Sequence, residues 1–186
     1  MLTINEYRKV ESLEEAYELN QKKNNKIIAG GVWMKIGDRR IATAIDLSGL
    51  GLDQITETDT EFVIGAMTTL REIEKHAGLA AYTDGAIRES VRHIVGVQFR
   101  NCATVGGSIF GRFGFSDVLT VFLAMDTQVE LYHAGMVSLK EFIDMPYDND
   151  ILVALHVAKK PIRIAYLSQR NTATDFPAVS YTHLTL

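Results

Sequence analysis

Two glycine pairs, Gly30-Gly31 and Gly106-Gly107, are where residue type and spacing in this 186-residue chain point to chemistry. In the first, Lys26-Ile27-Ile28-Ala29 reads as a short buried strand that runs into the glycines, after which Val32 to Ile36 can make one or two helical turns. A helix start preceded by glycine presents unpaired backbone N–H groups at the positive end of the dipole, so phosphate or diphosphate is a natural ligand. Glycine serves there because a side chain would hold a phosphate off the backbone, or because the turn needs positive φ. Neither G-x-G-x-x-G nor a P-loop pattern is present, so a tight turn without a ligand remains the alternative. In the second segment, Arg100 to Ile109, the paired glycines stand with Thr104 and Ser108, and amides and hydroxyls can line one concave surface. Five of the 14 glycines fall between positions 96 and 114, so clustering is the signal. Further on, Asp117 opens a helix that its carboxylate can cap, or the same carboxylate can accept from ligand hydroxyls; spacing leaves both open.

Other reactive side chains offer less. His76, His93, His133, His156 and His183 are scattered without metal-ligand spacing, and the single cysteine, Cys102, excludes an intrachain disulfide and any multi-thiolate metal site. Cys102 reads as a small buried hydrophobe. Trp33 and Phe113 suit either stacking on a cofactor ring or plain packing. Arg100 suits an anionic ligand or an ion pair, and Glu72, Glu74 and Glu89 have the look of a solvated helix face. No paired-carboxylate site is indicated.

Composition bounds the rest. Hydrophobic residues make up 47% and charged residues 23%, so a packed core is expected. A net charge of -4 with no basic block argues against nucleic acid or an anionic membrane surface as partner. The start lacks an apolar signal region, and the longest nearly apolar stretch, Val118 to Met125, is too short to span a bilayer, which makes the cytoplasm the expected location.

The elements that must position the glycines follow from periodicity. Ser12 with Glu15 starts a first helix, and Ala42 to Leu47 is a second strand completing a small βαβ unit with a parallel pair. Strands are expected at 54–58, 61–65, 127–133, 151–157 and 162–167, with helices from Thr68 through Ala77, over 85–94 and over 116–125. The fold class is α+β: a small lobe over residues 1–53 and a larger, mainly antiparallel lobe over 54–165.

These residues carry a resemblance. Lys26 to Met34 resembles the first flavin motif, and Val97 to Ser108 with Ser116-Asp117 the second, of the FAD-binding (medium) subunits of the molybdenum hydroxylases, the family of xanthine dehydrogenase and carbon monoxide dehydrogenase. It implies a two-lobed, PCMH-like FAD domain with FAD in the crevice between lobes. Ile27, Ile28, Ala29, Gly30, Gly31, Val32, Trp33 and Met34 would wrap the diphosphate. Thr104, Val105, Gly106, Gly107 and Ser108 would form a second cradle. Asp117 would hold a sugar or ribityl hydroxyl, Ile94 and Val95 would lie near the flavin ring, and Leu152 would add an apolar contact. FAD would be non-covalent, since neither motif contains a histidine, and no side chain acts as acid or base.

The resemblance also implies partners: a large subunit with the molybdenum cofactor and a small subunit with [2Fe-2S] centres, electrons passing through FAD to NAD or another acceptor. Two other functions stay open, a scaffold subunit that has lost flavin and a stand-alone FAD oxidoreductase. The sequence departs from the family pattern at Val32-Trp33, where Thr-Asp is usual, at Ser108, where Asn is usual, and at Phe110 to Phe115, which replaces a stretch of small residues and proline. By the same resemblance, residues 166–180 would begin a truncated further domain, and 181–186 would be a tail foreign to the family.

Overall fold

Strand β1 (Thr3–Lys9) leads through helix α1 (Leu13–Asn20) to strand β2 (Lys26–Ile28), a single 3-10 turn (Met34–Ile36) and strand β3 (Arg40–Asp46). The computed structural model describes residues 1–185. The three strands form a parallel sheet in the order β1-β3-β2, so the expected parallel pair is present with an additional edge strand. All seven residues of β1 are exposed, so it carries no apolar alternation; its charged side chains suit an unpaired edge. Central β3 instead buries Ile41, Ala44 and Ile45. Helix α1 starts where Ser12 Oγ accepts from the Glu15 amide at 3.1 Å.

The larger lobe begins with strands β4 (Ile55–Glu57) and β5 (Glu61–Gly65). Six short helices follow: α2 (Leu70–Lys75), α3 (Ala77–Tyr82), α4 (Ala86–Arg92), α5 (Val97–Arg100), α6 (Val105–Phe110) and α7 (Asp117–Ala124). Strands β6 (Thr127–Leu131) and β7 (Gly135–Ser138), helix α8 (Leu139–Asp144) and strand β8 (Leu152–Ala158) complete a five-stranded antiparallel sheet, ordered β4-β5-β8-β6-β7. The helix expected from Thr68 to Ala77 is α2, which ends at His76; the His76 backbone is extended and its Nδ1 accepts from the Leu79 amide at 3.1 Å, capping a separate helix, α3. Strands β9 (Arg163–Gln169) and β10 (Val179–Thr185) form an antiparallel ribbon, with β9 against α4 and β10 against α7. Residues 181–185, expected as a foreign tail, lie in β10; Leu186 is outside the described residues.

The main core gathers Phe62, Ile64, Leu70, Ile87, Val105, Ile109, Phe122 and Leu155 between the large sheet and its helices. A smaller cluster of Val10, Ala16, Ile45 and Leu47 also takes in Ile151 from the entry to β8, which ties the two lobes together. Glu74 on α2, expected on a solvated face, is instead buried against Arg100 on α5, with Oε2 at 2.8 Å from Nε and at 2.9 Å from Arg71 Nη1. Arg100 also donates to the Ile94 carbonyl at 3.1 Å, so this pair fixes the segment leading into α5.

Burial pushes the Glu74 carboxyl up, but the hydrogen bonds from Arg100 and Arg71 outweigh it and hold the group below its ordinary 4.5. Its stabilising contribution is therefore complete above pH 4.5 and lost as pH falls through the depressed folded value. Glu74→Gln should cost about 3 kcal/mol near pH 7, because it leaves Arg100 buried without its counter-charge. In urea unfolding followed by circular dichroism, the gap between native and variant should narrow as pH falls below 4.5.

Candidate functional site: a glycine-lined crevice

The turn after β2 lies directly on the backbone that enters α6. A Cβ placed on Gly30 would stand 1.8 Å from the Cys102 carbonyl oxygen and 2.4 Å from its carbon, so no side chain fits. Gly31 meets a different demand: its φ is +66° and the space around it is open, so conformation selects glycine there. At the start of α6, a Cβ on Gly106 would meet the Ala66 carbonyl oxygen at 2.6 Å. The segment 103–106 is stitched to 66–70 by three amide-to-carbonyl bonds at 2.9 Å: Leu70 to Ala103, Val105 to Thr68 and Gly106 to Ala66. The two glycine pairs, more than seventy residues apart in sequence, thus share one wall.

Between the lobes that wall bounds a crevice of about 570 Å³. Of the residues expected from the resemblance to hold FAD, all but two line it. Ile28 is half-buried in β2, and Val105 points into the core with no exposure. Ile94 and Leu152 are among its apolar walls, and so is Val95, whose φ of +50° is strained for a β-branched residue. Such strain costs about 1–3 kcal/mol and is tolerated where the surroundings over-determine the backbone, here next to the Ile94 carbonyl held by Arg100.

The donors are distributed unevenly. Among the described residues, the amides of Gly30, Gly31, Val32 and Trp33 have no acceptor within the protein. The second segment departs from the expected cradle of free amides. Besides Val105 and Gly106, Gly107 donates to Thr104 Oγ1 and Ser108 to the Thr104 carbonyl, each at 3.1 Å. Thr104 caps α6 from inside, which leaves its own hydroxyl hydrogen and the Ser108 oxygen lone pairs for a ligand.

Asp117 lines the crevice, but its side chain is 5% exposed and already engaged. Oδ1 accepts from the Tyr166 hydroxyl and, at 3.1 Å, from Ser180 Oγ; Oδ2 lies 2.8 Å from Arg170 Nη2. Burial and then the bond to Asp117 push the Tyr166 hydroxyl far above its ordinary range. Ser116, not Asp117, caps α7, accepting from the Leu119 amide at 3.2 Å. Cys102 contributes its carbonyl, and its side chain is exposed rather than buried as expected.

Sequence reasoning missed contributors from late in the chain. Arg170 and Phe176, on the segment after β9, reach the crevice wall, and nothing in their spacing from the glycine motifs marks them. Phe176 stacks on Trp33 with centroids 5.7 Å apart, and Phe113 stacks on Phe115 at 5.2 Å. Trp33 also meets Phe113 at 5.6 Å, so Trp33 and Phe113 pack with other rings at the crevice rim. Among the described residues there is no cluster of three or more metal-ligating side chains, and no helix is long and apolar enough to cross a membrane.

Residues 3–159 match the family described as the FAD binding domain in molybdopterin dehydrogenase. The chain belongs to that family. The uncharacterized protein YgfM of Escherichia coli K12 is 27% identical over 168 residues, covering 86% of this chain and 61% of that protein. The chain thus spans about three fifths of the curated relatives it matches. In fold it is similar to quinoline 2-oxidoreductase from Pseudomonas putida 86, with a TM-score of 0.85, 18% identity, and coverage of 95% of this chain and 67% of that one. Reconstituted CO dehydrogenase from Oligotropha carboxidovorans gives 0.84 at 23% identity, covering 96% and 68%. The Cu,Mo-CO dehydrogenase in its cyanide-inactivated form gives 0.88 at 23%, covering 99% and 70%.

FAD is the cofactor of this domain, and the crevice fits it. Its volume falls in the range of cofactor sites. The unpartnered amides after Gly30 suit a diphosphate, and apolar walls suit a flavin ring. The two first-motif glycines should respond differently to substitution. Gly31→Ala should cost about 1 kcal/mol, the strain of a side chain at positive φ. Gly30→Ala should cost about 3 kcal/mol or more, because its methyl must drive the turn off the Cys102 carbonyl. Urea unfolding midpoints of the two variants check the order.

Proposed function

We propose that this protein is the FAD-bearing electron-transfer subunit of a molybdenum hydroxylase-type complex, working in the manner of xanthine dehydrogenases. Its partners in this reading are a large subunit carrying the molybdenum cofactor and a small subunit carrying [2Fe-2S] centres. NAD or another acceptor takes the electrons, and the complex works in the cytoplasm. The observation that carries the reading is the contact of Gly30 with the Cys102 carbonyl, which closes both flavin motifs on one crevice. Bound FAD would supply the ability to take electrons singly and release them as a pair.

The chain's own task in this reading is binding and orientation. The amides of Gly30 to Trp33 hold the diphosphate, the Thr104 hydroxyl can donate from the other side of the crevice, the Ser108 oxygen is left to accept from a ligand hydroxyl, and Ile94, Val95 and Leu152 shape an apolar wall. Attachment is non-covalent: no histidine or cysteine is among the described residues that line the crevice. The lobe division at residues 53 and 54 belongs to the same reading, as does the start of a further domain over 166–180; the family match ending at 159 supports the latter.

Trp33 is the single tryptophan and stands on the crevice wall, so it reports on occupancy. Titration of the purified protein with FAD should quench its fluorescence saturably. The flavin absorption should survive gel filtration and be released by denaturation. Protein that stays colourless and shows no quenching would instead be the flavin-free scaffold.

A further inference from the structure

We propose that Arg112 is the positioning residue of the aromatic wall of the crevice: it clamps the segment between α6 and α7 from behind, so that Phe113 and Phe115 stand against Trp33 and slow the escape of a bound ligand. The slowed escape rests on the FAD reading above; the clamp does not. Phe110, Gly111, Phe113 and Phe115 line the crevice, and Arg112 between them does not. Its backbone has a φ of +48°, a left-handed conformation that few residues other than glycine adopt. Its side chain instead reaches α8 and the loop that follows. There the guanidinium carbon lies 4.0 Å from the ring centroid of Phe142, 4.6 Å from that of Tyr147 and 5.8 Å from that of Phe110. All three rings are in cation–π range, and Nη1 donates to the Met145 carbonyl.

A guanidinium held by rings and a carbonyl, with Nε buried and lacking a hydrogen-bond partner, is unfavourable, and so is the backbone strain at the same residue. Both persist only where the surroundings over-determine them. Two further contacts do so. Tyr147 donates its hydroxyl to the Gly111 carbonyl at 2.7 Å, and the Phe113 ring folds onto the bare Cα of Gly111, where a Cβ would stand 2.8 Å from it. On the crevice side Phe113 and Phe115 stack at an interplanar angle of 11° and lie 5.6 and 6.1 Å from Trp33 of the small lobe. At 42% and 40% exposure these two rings are not held by the core, so the clamp sets where they stand. The loop that receives Arg112 also reaches the small lobe. Its Asn149 carbonyl accepts from Asn20 Nδ2 at 2.7 Å and Gln21 Nε2 at 3.1 Å. Arg112 thus joins two connections that cross from the large lobe to the small one.

The test uses the full chain and two readouts: acrylamide quenching of Trp33 in ligand-free protein for the wall, and the dissociation rate of FAD for retention. Arg112→Met keeps the bulk and removes the charge and donors. It should make Trp33 more accessible to acrylamide and release FAD about tenfold faster. Arg112→Lys keeps a cation over the rings without the planar fork and should fall in between; it carries the same comparison should the methionine variant not fold. In a background with Phe113→Leu and Phe115→Leu, Arg112→Met should add nothing further to either readout, because it acts through those rings. Three results would each overturn the assignment: a lowered urea midpoint with Trp33 quenching unchanged, raised quenching with FAD release unchanged, or an Arg112→Met effect undiminished in the leucine background. If the native protein binds no FAD, the functional reading falls, whereas Trp33 quenching still decides the clamp.

Discussion

A backbone touching a backbone sets the position of the crevice: the Gly30 turn rests on the Cys102 carbonyl, where even a methyl group has no room. One side of the contact ends β2 of the small lobe, and the other leads into α6 of the large lobe. That contact decides where the lobes meet, and so where the crevice lies. The remaining architecture supports it from both directions. Parallel β3 fixes β2 on the small-lobe side, and bonds from 103–106 to 66–70 fix α6 on the other.

The two glycine segments then divide the labour. The first offers amides with no partner, held ready by a turn whose positive φ at Gly31 only glycine adopts readily. The second uses its amides to build its own helix start and its attachment to β5 and α2. A cradle with one donating side and one structural side keeps the binding face fixed without leaving two sets of buried donors unsatisfied. The aromatic rim fits the same division. Trp33, Phe113, Phe115 and Phe176 come from three separate segments and pack with one another on the crevice wall.

Much of this was legible in the residues because the signals were local. An apolar run into Gly30-Gly31 marked the strand and turn, and the density of glycine near 106 marked the second wall. What was not legible depended on long-range contact. Strand β1 is a charged, exposed edge and has no periodic signature. Helix α3 was not foreseen, because its cap is the ring nitrogen of His76 accepting from a backbone amide, which composition does not announce. Glu74 looked solvated because its partner, Arg100, is 26 positions away, and Asp117 looked available because Tyr166, Ser180 and Arg170 come from a later ribbon. Why Gly30 must be glycine was also hidden: the reason is the Cys102 carbonyl, which is invisible until the chain is folded.

Hydrogen exchange with and without FAD tests the division of labour most directly. Without FAD, the amides of Gly30 to Trp33 should exchange fast, since nothing in the protein accepts from them, while those of Val105 to Ser108 should already be slow. FAD should slow the first group and leave the second unchanged. Protection gained at 105–108 with none at 30–33 would contradict the account.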